Sequence, residues 1–199
     1  MTANDTAPHA PAPTGPDGRP RCTWALGTPD LAEYHDTEWG RPVRTDQGMF
    51  ERVSLEAFQA GLSWLTVLRK REALREHFAG FAIEEVAAFG GDDVERMLAD
   101  ARIIRSRAKI EAVIGNARAA LELPGGLAAA VWEHAPEPGR PAPAGDADVP
   151  ASTPESTALA KRLKKAGFRF VGPTTAYAAM QATGVVDDHL AGCFLGRGA

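Results

Sequence analysis

The chain has 199 residues, of which 44% are hydrophobic and 24% are charged, and its formal net charge is -4. These values are ordinary for one globular domain, and the acidic balance argues against broad, charge-driven binding of nucleic acid while leaving room for a local basic face. No apolar run reaches the ~18 residues that a membrane span needs, and residues 1–21 lack the apolar core of a secretory signal, so we expect a cytoplasmic protein with no membrane partner.

The chain divides into a tail and one domain. Residues 1–20 are rich in proline and alanine and predict a disordered tail, and residues 21–199 predict a single all-α domain, since no alternating strand pattern is present. A proline-rich loop is expected at about 133–152. Helices are expected at about 29–35, 47–60, 64–78, 83–89, 92–100, 106–123, 154–165 and 173–183.

Local signals refine three of these helices. Asp46 is in the right place to cap the second helix. The basic residues of the third helix are interpreted most simply as a solvated face; they are Arg69, Lys70, Arg71 and Arg75. The helix at 154–165 has the clearest start, because Thr153 is a good N-cap and Pro154 suits the first helical position.

The stretch 53–68 carries a single charge, that of Glu56. On a helix, this carboxylate shares a face with apolar residues three and four positions away, and burying it requires hydrogen-bond donors or a ligand that supplies them. Gly61 is expected to end the helix, so that Leu62 and Trp64 project from the following turn. Two interpretations stay open: a pocket for a flat polar ligand, or a core helix whose glutamate caps a nearby loop.

Two cysteines and two histidines form a candidate metal set, with Cys22 and His35 near the start of the chain and His189 and Cys193 near its end. Two thiolates and two imidazoles are typical of a closed tetrahedral zinc site, which leaves no position open for catalytic water. The spacing is not that of a standard zinc finger, so four unrelated side chains remain the alternative.

Residues 163–176 have the pattern of a helix, a glycine-containing hairpin and a second helix. Backbone N–H groups of such a hairpin, together with the positive end of the second helix, can hold a phosphate. An ordinary helical hairpin with a solvated surface is the alternative. The nearby basic residues that would form a local positive face are Lys161, Arg162, Lys164, Lys165 and Arg169.

Three tryptophans and one tyrosine lie in the first 64 residues: Trp24, Tyr34, Trp39 and Trp64. Aromatic faces can stack on a nucleobase, but each of these residues taken alone is better explained as part of the core.

Several of these motifs, in this order, resemble the DNA-3-methyladenine glycosylases of type I. The resemblance runs from about Arg21 to Cys193 and also includes residues 100–110 and 168–172. Its most specific motifs are Cys-Thr-Trp at 22–24, Tyr-His-Asp-Thr-Glu-Trp-Gly at 34–40, Leu-Glu-Ala-Phe-Gln-Ala-Gly-Leu-Ser-Trp at 55–64 and Asp-His-Leu-Ala-Gly-Cys at 188–193.

The resemblance implies a helix-hairpin-helix glycosylase fold with one structural zinc that joins the N- and C-terminal segments. The implied zinc ligands are Cys22, His35, His189 and Cys193. The implied base-binding residues are Trp24, Tyr34, Glu56 and Trp64, with Trp39 close by, and Glu56 is the expected catalytic residue. The expected DNA-binding residues are Leu62, as a wedge in the duplex, and Lys164, Lys165, Val171, Gly172 and Thr174.

The resemblance also implies a base-excision repair enzyme that hydrolyses the N-glycosidic bond of 3-methyladenine in alkylated double-stranded DNA and releases the free base. Thr174 occupies the place of the lysine used by related strand-cutting enzymes, so no lyase activity is expected. Asp187 lies near an aspartate used elsewhere in the superfamily, and we assign it no role. We expect a monomer that works on the bacterial nucleoid. The alternatives are a zinc-stapled DNA-binding module without catalysis and, less well supported, a zinc hydrolase.

Overall fold

The computed structural model describes residues 12–196, and over this range the chain is all-α, as predicted. It contains three short 3-10 helices, at Thr23–Leu26, Ala79–Phe81 and Asp146–Asp148, and one isolated β-bridge. None of the helices in this range is long and apolar enough to cross a membrane. The α-helices are α1 (Pro29–Thr37), α2 (Asp46–Gln59), α3 (Trp64–His77), α4 (Ile83–Ala88), α5 (Gly91–Ala99), α6 (Arg107–Leu121), α7 (Gly126–Trp132), α8 (Pro154–Lys165) and α9 (Pro173–Ala182).

Helix α2 lies at the centre of the fold. It packs against α3, α4, α6, α7 and α9, and it is buried along most of its length. Phe50 and Phe58 are fully buried, and their rings lie 6.2 Å from that of Phe81 and 5.9 Å from that of Phe78. Burial of such side chains is the main favourable contribution to folding, so these contacts help to fix the position of α2. Gly61, with a φ of 79°, lies in the turn that follows the helix, as expected.

The N-terminus of α2 corrects one prediction. Thr45, and not Asp46, caps this helix, because the Thr45 hydroxyl accepts a hydrogen bond from the backbone N–H of Gly48 at 3.3 Å. The carboxylate of Asp46 instead accepts a bond of 2.7 Å from the backbone N–H of Ala128 in α7. Helix α7 has no side-chain cap of its own, so an acid from another helix satisfies one of its first N–H groups. The sequence analysis did not predict α7.

Of the four basic residues of α3 expected on a solvated face, Arg69 is exposed, with 59% of its side chain accessible, and the other three are partly buried. The Arg71 guanidinium, with its side chain only 14% exposed, lies 2.8 Å from the Glu38 carboxylate. Arg75 pairs with Glu51 at 2.7 Å, and Lys70 donates to backbone carbonyls of the loop after α5 at 2.9 and 3.0 Å. These partners come from distant parts of the chain, which explains why the charges alone suggested a solvated surface.

Part of the predicted tail is ordered. Residues 12–20 form a small hairpin, with a bridge between Thr14 and Pro20 and a turn at Gly18, whose φ is 79°. Residues 1–11, the rest of the predicted tail, lie outside the described residues. The proline-rich stretch 133–152 follows α7 directly, and it contains one short 3-10 segment and no α-helix.

Candidate active site and metal cluster

A cavity of about 520 Å³ opens between α1, α2, α3, α9 and the segment that follows α9. The acidic residues on its wall are Glu56, Asp146 and Asp188, and no lysine or arginine contributes to the lining that the described residues provide. A site of this composition suits a ligand that carries positive charge or hydrogen-bond donors. All five residues predicted to contact a base line this one cavity: Trp24, Tyr34, Trp39, Glu56 and Trp64.

Glu56 is 7% exposed and faces the cavity from the last turns of α2. Burial raises the pKa of its carboxyl to about 8, and Arg52, one turn earlier on α2, opposes this increase. The neutral acid is thus the favoured form of the free protein near neutral pH. A cation in the cavity would favour the carboxylate, since an opposite charge stabilises the ionised form. This placement favours the pocket interpretation of Glu56 over that of a loop cap.

Two hydrogen-bond donors in the same cavity are without partners. The Tyr34 hydroxyl and the indole N–H of Trp64 are buried and have no hydrogen-bond partner among the described residues. Their rings are 5.1 Å apart between centroids, with an angle of 45° between the planes. Burial raises the pKa of Tyr34, so the hydroxyl keeps its proton. Because buried polar groups are nearly always hydrogen-bonded, two unpaired donors beside a buried acid indicate a ligand site.

A row of aromatic rings connects this cavity to the cysteine and histidine residues. The Trp24 ring lies 6.2 Å from that of Tyr34 and 5.2 Å from that of Trp39. Trp39 in turn contacts the His189 ring edge-on at 4.7 Å, and Trp24 contacts the His35 ring at 5.4 Å. The tryptophan side chains therefore form part of the cavity wall and also pack against the two imidazoles.

The four predicted metal ligands lie together. Their ligand atoms are all within 4.8 Å of one another, and all four residues, Cys22, His35, His189 and Cys193, are buried. The Cys193 sulfur is 3.4 Å from His35 Nε2 and 3.7 Å from His189 Nδ1, and the Cys22 sulfur is 3.6 Å from His189 Nδ1. A tetrahedral zinc with Zn–S near 2.3 Å and Zn–N near 2.0–2.1 Å separates its S and N ligands by about 3.6 Å.

The protonation of the cluster also suits a cation. A hydrogen bond from the Cys22 thiol lowers the pKa of Cys193, with further help from the two imidazoles, and the same bond together with burial raises the pKa of Cys22. These shifts favour the thiolate form at Cys193 over that at Cys22. Position 40, beside the cluster, requires a glycine: its φ is 76°, and a Cβ there would lie only 2.8 Å from His189 Nε2. The residues present can thus hold a tetrahedral metal ion.

The sequence analysis missed a buried acid on the cavity wall. Asp188 is 2% exposed, and its Oδ2 accepts hydrogen bonds from the Tyr177 hydroxyl at 2.5 Å and the Gln181 amide at 2.7 Å. Arg140, from the proline-rich loop, lies 3.4 Å from its Oδ1. The preceding Asp187 accepts from the backbone N–H of His189 at 3.2 Å. The Asp-His sequence in the last motif was the only signal for Asp188, and its partners could not be inferred from spacing.

The residues predicted to bind DNA lie in two places. Leu62 is 42% exposed at the turn between α2 and α3. Lys164, Lys165 and Thr174 are exposed around the link from α8 to α9. Val171 is 6% exposed and packs in the main core.

Phe170, which belongs to the motif at 168–172, is exposed in this link. It is 41% exposed and has a φ of 58°, a value that non-glycine residues rarely adopt. Asn116 fixes the backbone just before it, since its side-chain amide bonds to the N–H and the carbonyl of Arg169 at 2.8 and 3.1 Å. The link is therefore held in one shape by α6.

These features define an all-α protein with a buried acid and unpaired donors in an aromatic cavity, next to a four-ligand cluster. The methyladenine glycosylase family model matches residues 24–196. The chain is 46% identical to DNA-3-methyladenine glycosylase 1 of Escherichia coli over 179 residues, which cover 87% of this chain and 95% of the relative. The chain belongs to the methyladenine glycosylase family, as the sequence motifs predicted.

Other relatives agree with this assignment. DNA-3-methyladenine glycosylase of Haemophilus influenzae is 42% identical over 179 residues, which cover 87% of this chain and 96% of that protein. A crystal structure of a 3-methyladenine DNA glycosylase I superposes with a TM-score of 0.84 at 47% identity and covers 88% of this chain and 99% of that one. The Staphylococcus aureus enzyme, described in terms of its recognition of 3-methyladenine, has a TM-score of 0.80 at 33% identity, with coverage of 87% and 95%.

Proposed function

We propose that this protein is a monofunctional DNA glycosylase of base-excision repair, which hydrolyses the N-glycosidic bond of 3-methyladenine in alkylated double-stranded DNA. The observation that carries the proposal is the cavity in which Glu56 lies with the unpaired donors of Tyr34 and Trp64. Family membership and the 3-methyladenine glycosylases among the relatives support the same reaction.

The chemistry requires little acid catalysis from the protein. Methylation at N3 makes the adenine formally cationic in the nucleotide, so the base is already a good leaving group. The protein has to flip the nucleotide out of the duplex, bind the base and admit water to the sugar. Glu56 accepts a hydrogen bond from the 6-amino edge and attracts the positive charge, whereas a guanine would present a carbonyl oxygen to the same carboxylate.

The remaining cavity residues bind the base by its faces and edges. The indole and phenol rings of Trp24, Tyr34 and Trp64 offer stacking surfaces, which favour a cationic ring in particular. Trp39 packs against the ring of Trp24. The Tyr34 and Trp64 donors can satisfy acceptors on the base.

We further propose that the cluster of Cys22, His35, His189 and Cys193 holds one structural zinc ion. The mixed thiolate and imidazole set, the separation of its atoms and its burial support this assignment. Zinc supplies cross-linking between the two ends of the domain, and a full set of four protein ligands leaves it no part in the chemistry at the base.

DNA contact is proposed at two places. The link between α8 and α9 acts as a helix-hairpin-helix element, in which backbone N–H groups at Val171, Gly172 and Thr174 hold a phosphate while Lys164 and Lys165 add positive charge. The exposed side chain of Leu62 enters the space left by the flipped nucleotide. We propose that a single copy of this domain acts on the duplex and releases free 3-methyladenine.

Thr174 lies in the first turn of α9, at the position where strand-cutting relatives of this superfamily have a lysine. Without that amine no Schiff base can form with the sugar, so the product is an intact strand with an abasic site. The alternative of a DNA-binding module without catalysis is less well supported, because such a module has no use for a buried acid in a base-sized cavity.

The test is incubation of the purified protein with methylated duplex DNA and chromatography of the released bases. The expected result is free 3-methyladenine without strand cleavage before alkali treatment. Binding of the duplex with no released base would instead support the DNA-binding module.

A further inference from the structure

The arginine before the first cysteine is buried in an unusual way. Arg21 is 5% exposed although it carries a full charge. Its Nη1 and Nη2 atoms donate to the two carboxylate oxygens of Asp17, each at 2.6 Å. Its Nε and Nη2 atoms also donate to Asp36 in α1, at 2.9 and 2.7 Å. One guanidinium therefore bridges two carboxylates with paired bonds, which is the strongest arrangement that arginine makes.

The second of these carboxylates contacts a metal ligand. Asp36 Oδ1 is 2.8 Å from Nδ1 of His35, whose ring is fully buried. The other ring nitrogen, Nε2, points to the cluster, 3.4 Å from the Cys193 sulfur. A hydrogen bond from Nδ1–H to the carboxylate keeps the Nε2 lone pair free and aimed at the ion, and partners of this kind orient metal-bound histidines.

The hairpin at residues 12–20 brings Asp17 to this position. The backbone N–H of Arg21 donates to the Pro13 carbonyl at 2.9 Å, and that of Gly15 donates to the Arg19 carbonyl at 2.9 Å. Gly15 leaves room for the guanidinium, because a Cβ there would lie 2.7 Å from Arg21 Nη1. The hairpin thus places its acid against Arg21 from the side opposite α1.

We propose that residues 12–21 form a strap on the metal centre, in which Asp17 positions Arg21, Arg21 positions Asp36, and Asp36 holds the ring of His35 toward the ion. The inference rests on the zinc site proposed above and adds to it a segment that precedes the first ligand. Asp17 and Arg21 are positioning residues, since neither contacts the ion. Their expected effect is on how long zinc stays bound in the folded protein.

The test measures zinc loss from the full-length protein. Asp17→Asn and Arg21→Gln are compared with Asp30→Asn, a matched control that removes an ion pair of 2.7 Å between Asp30 of α1 and Arg69, away from the cluster. The readouts are the rate of zinc transfer to a chromogenic chelator, the visible absorption spectrum of the Co²⁺-substituted protein, and the melting temperature. Substitution of partners of metal ligands typically weakens metal binding by about 10- to 100-fold.

We expect zinc transfer to be roughly tenfold faster in Arg21→Gln and roughly threefold faster in Asp17→Asn, which acts one bond further from the histidine, with no change in Asp30→Asn. The Co²⁺ spectrum should change in Arg21→Gln. Equal transfer rates in Asp17→Asn and Asp30→Asn would overturn the strap, as would a lower melting temperature without a change in transfer rate. A wild-type protein without zinc would refute both the metal site and the strap, while base release from methylated DNA would still test the proposed reaction separately.

Discussion

At the scale of single residues, the account depends on two buried ionisable side chains: Glu56 on the cavity wall and Arg21 beside the metal ligands. A lone acid in an apolar helical stretch needs a hydrogen-bond partner or a ligand, so the sequence drew attention to Glu56. The pattern left a ligand pocket and a loop cap both open, and only the family resemblance implied a role at a base. Arg21 is bound by Asp17, which precedes it in the chain, and by Asp36, which follows it. Asp17 lies in the proline-rich segment that was predicted to be a disordered tail. Hydrogen-bond partners of this kind depend on the tertiary fold.

The raised pKa of Glu56 predicts how excision depends on pH. The carboxylate form of Glu56 is the one that binds a cationic base. With a pKa of about 8 in the free protein, the ionised fraction of Glu56 rises about tenfold for each pH unit while the pH is below 8. We expect kcat/KM to rise with pH and to level off near pH 8, since this ratio reports the free enzyme. In Glu56→Gln, kcat/KM should not rise with pH over this range. A wild-type profile that is flat from pH 6 to pH 8 would contradict the assignment.

The same pKa predicts how stability depends on pH. The folded state binds the Glu56 proton more tightly than the unfolded state, so the stability that this proton contributes is present below pH 4.5 and is lost as pH rises through 8. The free energy of unfolding of the wild type should therefore fall, relative to that of Glu56→Gln, as pH increases over this interval. Urea denaturation of both proteins at several pH values measures the difference, and parallel curves would show that the carboxyl is not buried as described.

At the scale of secondary-structure elements, the helices with strong end signals were predicted best. Helix α8 begins after Thr153, whose hydroxyl accepts from the N–H of Ser156, and it ends at Lys165, as expected. Helix α7 was missed because it is short, apolar on all sides and begins at glycines, so it has neither a period nor a cap of its own. Its missing cap comes from Asp46, which no local pattern could indicate.

The end of α2 is held by an element distant in sequence, and this predicts a role for Lys109. Its ammonium group, in α6, donates to the carbonyls of Phe58 and Ala60 at 2.8 and 2.6 Å, just before the turn that carries Leu62. Lys109→Met removes both bonds from the C-terminus of α2, at a cost on the order of 1 kcal/mol in stability. Excision from duplex DNA should fall several-fold.

The matched measurement for Lys109→Met is binding of free 3-methyladenine, which should stay close to the wild-type value because the cavity residues are unchanged. A variant that loses affinity for the free base and excision to the same extent would show that Lys109 acts on the cavity and not on the wedge turn.

At the scale of the whole molecule, the metal cluster joins the two ends of the described domain. Cys22 and His35 lie near its start and His189 and Cys193 near its end, and their side chains meet in one buried group. The fold class was predictable because the sequence has no alternating strand pattern. The spacing of the cysteines and histidines left their contact open, and the family resemblance implied it. Their geometry, the position of the proline-rich loop and the strap before Cys22 required the structure.

Removal of zinc should therefore destabilise the fold more than it alters the chemistry of the cavity. We expect chelation, or the substitution Cys193→Ser, to lower the melting temperature by several degrees or more, because metal binding contributes directly to folding free energy. Excision per folded molecule should change little at temperatures well below the transition. A metal-free protein with an unchanged melting temperature would contradict the structural role.

Contact with DNA should be electrostatic but limited in extent. The net charge of the chain is -4, so we expect the attraction to the duplex to come from a local face, which we propose at Lys164 and Lys165. The logarithm of the binding constant should fall linearly with the logarithm of salt concentration, with a slope that corresponds to a few phosphates. Reversing both charges to Glu should reduce affinity and the salt slope, and unchanged affinity would exclude this face as the contact.

The central claim is that Glu56 recognises the base, and single-turnover release of 3-methyladenine by Glu56→Gln tests it most directly. The variant keeps the shape of the side chain and removes its charge, so we expect a loss of about 1.5–3 kcal/mol, or roughly 10- to 150-fold in rate, as for a buried hydrogen bond to a charged group. The melting temperature of the same sample should be equal to that of the wild type or higher at pH 8, because the buried acid is unfavourable there. Full activity with a lowered melting temperature would contradict the account and identify Glu56 as a structural cap.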